Sequence, residues 1–500
     1  MKQSSRIFLC LSLPLGLTLS GCVASSASHV SSAIILPEAK DSGAFATPVP
    51  AVATKASVEV IPVGAEEPAR VRPAYAQLET LPIDLPTVMR MVNENSPSIG
   101  FAQARVREAQ ARLENAELQW VPHLSLGAAY NRFDGQTQNQ RGEVFGVSRA
   151  NLFSAVVPTL SVDTAEAIYR PLIERRLNSS EQYREQAVNL AVELEAVGAY
   201  LDLVQIYAQI EINAETMKNA EALLNGAKNA REFKLDRTAG DVNRAQTEVL
   251  FRRVERIELL GKAGMASARL GKLLIMQPNV KLVPADKIVA PVTLVEANRT
   301  LDDLLAQAFA NRPDLAANRE IIEAAWLRVR KAERGPLWPK IAISNQTGAF
   351  GGGINDQLGD FSSRNALSAQ LYWEIRNLGF GNRAEAAERQ AVLDQANFQL
   401  IDAQARAVSE IVEAAQLAAA RYESLDLAEQ AVMEATELYR INLESITNVV
   451  DPKNLVDALR PLQALQALNQ ARLGYVNAIL DFNRAQYRLF TAVGQSPKQK

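Results

Sequence analysis

From position 382 to 451, small and apolar side chains return at every third or fourth residue, and neither proline nor glycine interrupts them. That spacing keeps one stripe of a helix apolar. The Ala-, Glu-, Gln-, Leu- and Arg-rich composition favours helix throughout. At ~1.5 Å per residue the run would extend on the order of 100 Å, so it predicts a coiled-coil rod rather than a helix folded into a small domain. Residues 163–277 have the same character: a long helix to about Phe233, a break near 234–240, and a return helix from Asp241. The second run has its own break near 447–454 and a return helix to Val493. Two antiparallel helical hairpins are therefore predicted.

In four shorter stretches the period changes to two: 123–133, 150–162, 340–350 and 365–375. The last alternates cleanly. Leu367, Ala369, Leu371, Trp373 and Ile375 fall on one face, and Ser368, Gln370 and Glu374 on the other. About ten residues of such alternation is the length a tilted transmembrane β-strand needs. The Gly-, Asn-, Gln- and Asp-rich stretches 134–149 and 351–364 predict exposed loops. Tyr130, Phe133, Phe153, Phe350, Phe361 and Trp373 lie near strand ends and read either as an aromatic girdle or as packing under loops. Pro158 is awkward in a strand, since it cannot donate to the ladder.

The two halves are copies of one plan. Asn95 and Asn311 stand 311 − 95 = 216 positions apart, and the same offset pairs Pro97 with Pro313, Ala109 with Ala325, Arg112 with Arg328 and Glu117 with Glu333. A period this long is a duplicated half-molecule, not a solenoid repeat. Boundaries follow: 1–21 a signal peptide, 22–82 a Pro/Ala/Ser-rich linker, 83–297 the first repeat and 298–500 the second.

Composition narrows the function. Net charge is −3 with interleaved signs, which indicates no nucleic-acid partner. The chain has two histidines and two cysteines, and no G-x-S-x-G, P-loop or His/Cys cluster. His29 and His123 read as solvated or capping residues, so no enzymatic activity, metal or cofactor is expected. Residues 1–22 carry Lys2 and Arg6, then an apolar run that ends Leu19-Ser20-Gly21-Cys22. This resembles the bacterial lipoprotein box, which implies export and covalent lipid on Cys22. No later stretch holds 18 consecutive apolar residues, so a membrane crossing would have to be a closed β-barrel. Four strands cannot close a barrel, because transmembrane barrels have at least eight. Several chains would have to combine.

At this point the chain resembles the TolC-like outer membrane efflux family over about residues 83–497. The resemblance rests on Asn95-Ser96-Pro97 and Asn311-Arg312-Pro313, on Gly335 to Pro339, on Phe350 to Gly353, on Trp373 to Gly381 and on Asp481 to Leu489. It implies a mainly α fold in a homotrimer: long hairpins forming an α-barrel, and four strands per chain in a twelve-stranded transmembrane β-barrel. It also implies a bacterial outer membrane location with a large periplasmic part, and docking to a periplasmic adaptor and an inner membrane pump. The protein would be a passive conduit for efflux or type I secretion. A periplasmic coiled-coil lipoprotein without a pore is the alternative. The family closes its periplasmic end at the hairpin tips, where Asp241, Asp451 and Asp457 are the acidic candidates; a helix N-cap or a solvated turn residue is the competing role for each. Glu374 and Gln370 are candidate pore-facing residues, with a salt bridge to a neighbouring strand as the other reading of Glu374. Arg175-Arg176 and Arg252-Arg253 read as solvated helix faces.

Overall fold

The computed structural model describes residues 79–232, 238–286, 289–296, 298–355, 357–447 and 459–497. Cys22, Asp451 and Asp457 lie outside them. The first half runs β1 (Glu79–Ile83), α1 (Leu85–Asn95), α2 (Pro97–Glu117), β2 (His123–Gln138), β3 (Val144–Asp163), α3 (Thr164–Glu232) and α4 (Thr238–Leu273). After β4 (Val280–Pro284) the order repeats: α5 (Leu301–Asn311), α6 (Pro313–Arg334), β5 (Lys340–Ile354), β6 (Gly359–Tyr372), α7 (Phe380–Thr447) and α8 (Leu459–Ala492).

The N-x-P signature is a helix corner. Ser96 and Arg312 each precede a proline and hold extended backbones, with ψ of 122° and 117°. A residue before proline is pushed out of the helical region, while proline itself suits the first helical turn. The same three residues therefore stop one helix and start the next. In the second half the corner is locked. Arg312 donates to Asp314 at 2.8 Å and to Glu410 of α7 at 2.7 Å. Burial works against the Arg312 charge, but these two carboxylates outweigh it and raise its pKa. Gly494, just beyond α8, has φ +82°, and a Cβ there would lie 2.9 Å from the Arg312 backbone nitrogen. The matching position after α4 is Ile275, also left-handed with φ 54°.

One apolar core gathers α1, α3, α4, α8 and the β1–β4 pair, with Val88, Val92, Leu203, Leu270, Leu282 and Leu480 fully buried. A second core lies further along the hairpins, where Leu224 of α3, Val249 of α4 and Leu465 of α8 meet. The parallel β1–β4 pair is a feature the alternation did not reveal. Its first strand lies almost wholly in the segment read as linker, and five residues are too few to establish a period.

β2, β3, β5 and β6 form one antiparallel sheet in that order, so the two halves join through β3 and β5. The strands outrun the predicted ones. β2 continues to Gln138 and β3 begins at Val144, leaving a tight connection where a 16-residue loop was expected from composition. β5 and β6 likewise absorb most of 351–364. Ladder pairing maintains the strands there, and composition does not register pairing. Pro158 does sit in an interior strand: pairing with β5 lapses between Val156–Thr347 and Thr159–Ser344, as a residue without N–H requires.

Candidate functional site

The register sorts the sheet into two chemically different faces. Leu124, Leu126 and Tyr130 of β2 stand beside Pro158, Val156 and Leu152 of β3. On the same face Leu160 and Val162 lie next to Ile343 and Ile341 of β5, which in turn face Ala369 and Leu371 of β6. An apolar band thus crosses all four strands. It is largely open: Leu126 is 72% exposed and Leu367 74%. The opposite face carries Ser125, Asn131, Asn151, Thr159, Ser161, Ser344, Gln346, Ser368 and Gln370. Among the described residues both outer strands, β2 and β6, keep one edge unpaired. An open, hydrophobic, long edge in water is an aggregation hazard, and an apolar patch of this extent marks a partner or a membrane.

The aromatic residues divide between the faces. Phe153 and Phe350 pack together on the polar face with ring centroids 6.5 Å apart, and Phe133 shares that face under Arg149. They do not lie on the apolar face. Three of the four tryptophans, Trp120, Trp338 and Trp373, instead cluster within three residues of the helix-side strand ends and are exposed. The signal was in the sequence. Trp120 ends the short turn before β2, and Trp338 immediately follows the corresponding turn before β5.

Gln370 lies on the polar face opposite Ala342. Glu374 falls just past the end of β6 and forms an ion pair with Lys340, which also meets Asp163 at 3.2 Å. Glu374 therefore makes the neighbouring-strand salt bridge, and Arg376 lies 3.8 Å from its other oxygen. Asp241 sits in the first turn of α4 with its carboxylate 3.4 Å from Arg244.

Not all the charge pairs are solvated faces. Arg253 pairs with Glu221 at 3.1 Å, and Arg175 with Glu117 at 3.4 Å, in the open. Arg252 is different, with a side chain only 15% exposed. It donates to Glu248 at 2.8 Å and Glu255 at 2.7 Å, while Gln466 of α8 donates to Glu248 and Asn213 of α3 to Glu255. Burial opposes the charge of Arg252, but the two glutamates prevail and raise its pKa. Thr216 and Asn469 join α3 to α8 nearby, at 2.9 Å. The sequence reading missed this network because its partners come from three helices.

The hairpins leave apolar side chains without cover. On α4 they are Leu250, Val254 and Ile257; on α7 they are Phe398, Leu427, Met433 and Ile441. Among the described residues no helix is long and apolar enough to cross a membrane.

No protein-family model and no curated protein matches the chain. Solved structures do. The outer-membrane channel OprN aligns with a TM-score of 0.66 at 18% identity, covering 82% of this chain and 90% of that one. VceC, an outer membrane protein from Vibrio cholerae, aligns at 0.65 and 20% identity, covering 82% and 96%. The CmeC outer membrane channel of Campylobacter jejuni aligns at 0.67 and 16% identity, covering 82% and 85%. In its duplicated halves, its shared four-stranded sheet and its paired helical hairpins, this chain has the fold of the TolC-like outer membrane channels.

Proposed function

We propose that this protein is the outer membrane channel of a tripartite efflux or type I secretion system, a passive conduit from the periplasm to the exterior. The observation that carries the reading is the sheet. It is apolar on one face, polar on the other and, among the described residues, unpaired at both edges. Placed in lipid, unsatisfied backbone groups cost several kcal/mol each, which only closure removes. The β6 edge of one copy pairing with the β2 edge of the next closes the sheet. Three copies give twelve strands, with apolar faces towards lipid and polar faces around water. The exposed tryptophans at the helix-side strand ends suit the lipid–water interface. Uncovered apolar positions on α4 and α7 suit packing between neighbouring hairpins in a continuous helical tube. Lipid on Cys22 would tether the N-terminus to the same membrane. A periplasmic adaptor and an inner membrane pump would supply cargo and energy. The pore-free coiled-coil alternative leaves a two-faced sheet with open edges unexplained.

The test is extraction of the Cys22→Ala protein. Without its anchor it should still sediment with outer membranes, require detergent, and behave as a trimer by light scattering. A monomer that dissolves in plain buffer would refute the proposal.

A further inference from the structure

We propose that the polar face of the sheet carries an anion-selecting, aromatic-backed filter built from Arg149, Arg364, Phe133, Phe153 and Phe350; this rests on the channel reading above. The Arg364 guanidinium lies 5.2 Å from the Phe350 ring centroid and 5.7 Å from that of Phe153. Arg149 lies 5.4 Å from the centroid of Phe133. Both arginines are exposed on this face, and among the described residues neither meets a carboxylate. Arg364 stands opposite Gly348, which has no side chain to block its reach across β5 to Phe153. Nor can Gly348 acquire one cheaply, since a Cβ there would fall 1.9 Å from the Ser154 carbonyl oxygen.

The charge balance of the face gives the inference its direction. Along the paired strands from the helix-side end to the bulge at Phe350–Gly352, its only carboxylate is Asp163, which shares Lys340 with Glu374 just past the end of β6. Arg364 is left as an uncompensated positive level within that stretch; Arg149 stands beyond it, level with Ile354, where Asp134 of β2 falls on the other face and is taken up by Arg132 and Ser148. The registers of Arg149 and Arg364 on β3 differ by six residues, 149 against 155, or about 20 Å along the strand. In a closed trimer each level becomes a ring of three guanidinium groups around water. Rings of arginine favour anions. A guanidinium stacked over a ring keeps its outward edge free to donate to carboxylate, sulfonate or phosphate. The adjacent phenylalanines offer faces to an aromatic body. The class of solute that fits is an anion with a flat apolar part.

The wild-type trimer in a planar bilayer under a KCl gradient reports both readings. Relative to wild type, the Arg149→Gln/Arg364→Gln variant should lower the chloride-to-potassium permeability ratio by roughly twofold or more, and Arg364→Lys should not. In the wild type, naphthalenesulfonate should block current at lower concentration than a naphthyl trimethylammonium, and Phe153→Leu/Phe350→Leu should weaken that block. Wild-type channels that conduct, with an unchanged ratio in the double variant or equal block by the two naphthyl ions, overturn the filter alone. A trimer that carries no current overturns the channel reading and the filter with it.

Discussion

Arg252 is the residue whose loss should most damage the helical hairpins. Its side chain is 15% exposed, and its partner Glu248 only 6%. Replacing Arg252 with Met keeps the stem and removes the charge. Glu248 would then keep the Gln466 hydrogen bond as its one remaining contact in the network, inside a region sealed by Val249 and Leu465. Glu255 is better placed, because a third of it already reaches water. Stranding one buried carboxylate costs about 3–5 kcal/mol when nothing else compensates. With Gln466 still donating, about 2–4 kcal/mol is expected. Arg253, one position along, pairs with Glu221 at the surface, and Arg253→Met should cost at most about 1 kcal/mol. Urea unfolding of detergent-solubilised protein, followed by far-ultraviolet circular dichroism, compares the two in one background. A similar midpoint for both variants would refute the argument, because burial and the network it encloses are what separate these neighbours.

Asp84 caps α1 by accepting from the Thr87 amide at 3.0 Å, and the Thr87 hydrogen bonds hold its carboxyl below the ordinary aspartate range. A depressed folded pKa stabilises above the unfolded value and fades as pH falls through the folded one; Asp84→Ala should cost about 1 kcal/mol at neutral pH, and its unfolding midpoint should converge with wild type in acid. Ile275 holds a left-handed backbone that glycine adopts freely, so Ile275→Gly should raise stability by about 1 kcal/mol; a loss measured by the same urea titration would count against the strain. On β6, Leu367→Arg places a charge on the apolar face and should weaken membrane assembly by about 2–4 kcal/mol, whereas Ser368→Arg on the other face should leave trimer yield in outer membranes unchanged; equal yields would contradict the assignment of faces.

Much of this architecture was legible in the residues. The long helices and the paired halves follow from local rules: proline and glycine spacing, helix-forming composition and a 3.5-residue period; the predicted breaks fall largely outside the described residues. The N-x-P corners are equally local, because a proline dictates the backbone of its predecessor and its own place in a helix, at Ser96–Pro97 as at Arg312–Pro313. Alternation in 365–375 fixed which side of β6 is apolar before any partner strand was known.

Tertiary structure decided what depends on who stands next to whom. Pairing carried the strands through Gln138 and back from Val144 across residues whose composition reads as loop. The same effect concealed Arg149 and Arg364, the last residues of the two supposed loops, until register set them over Phe133, Phe153 and Phe350. Arg252 looks like any surface arginine beside Arg253, and only the meeting of α3, α4 and α8 buries it. A chain records its own periodicities, which need no more than neighbours in sequence. Register, burial and charge pairing are set by residues up to hundreds of positions away, and these the fold alone brings together.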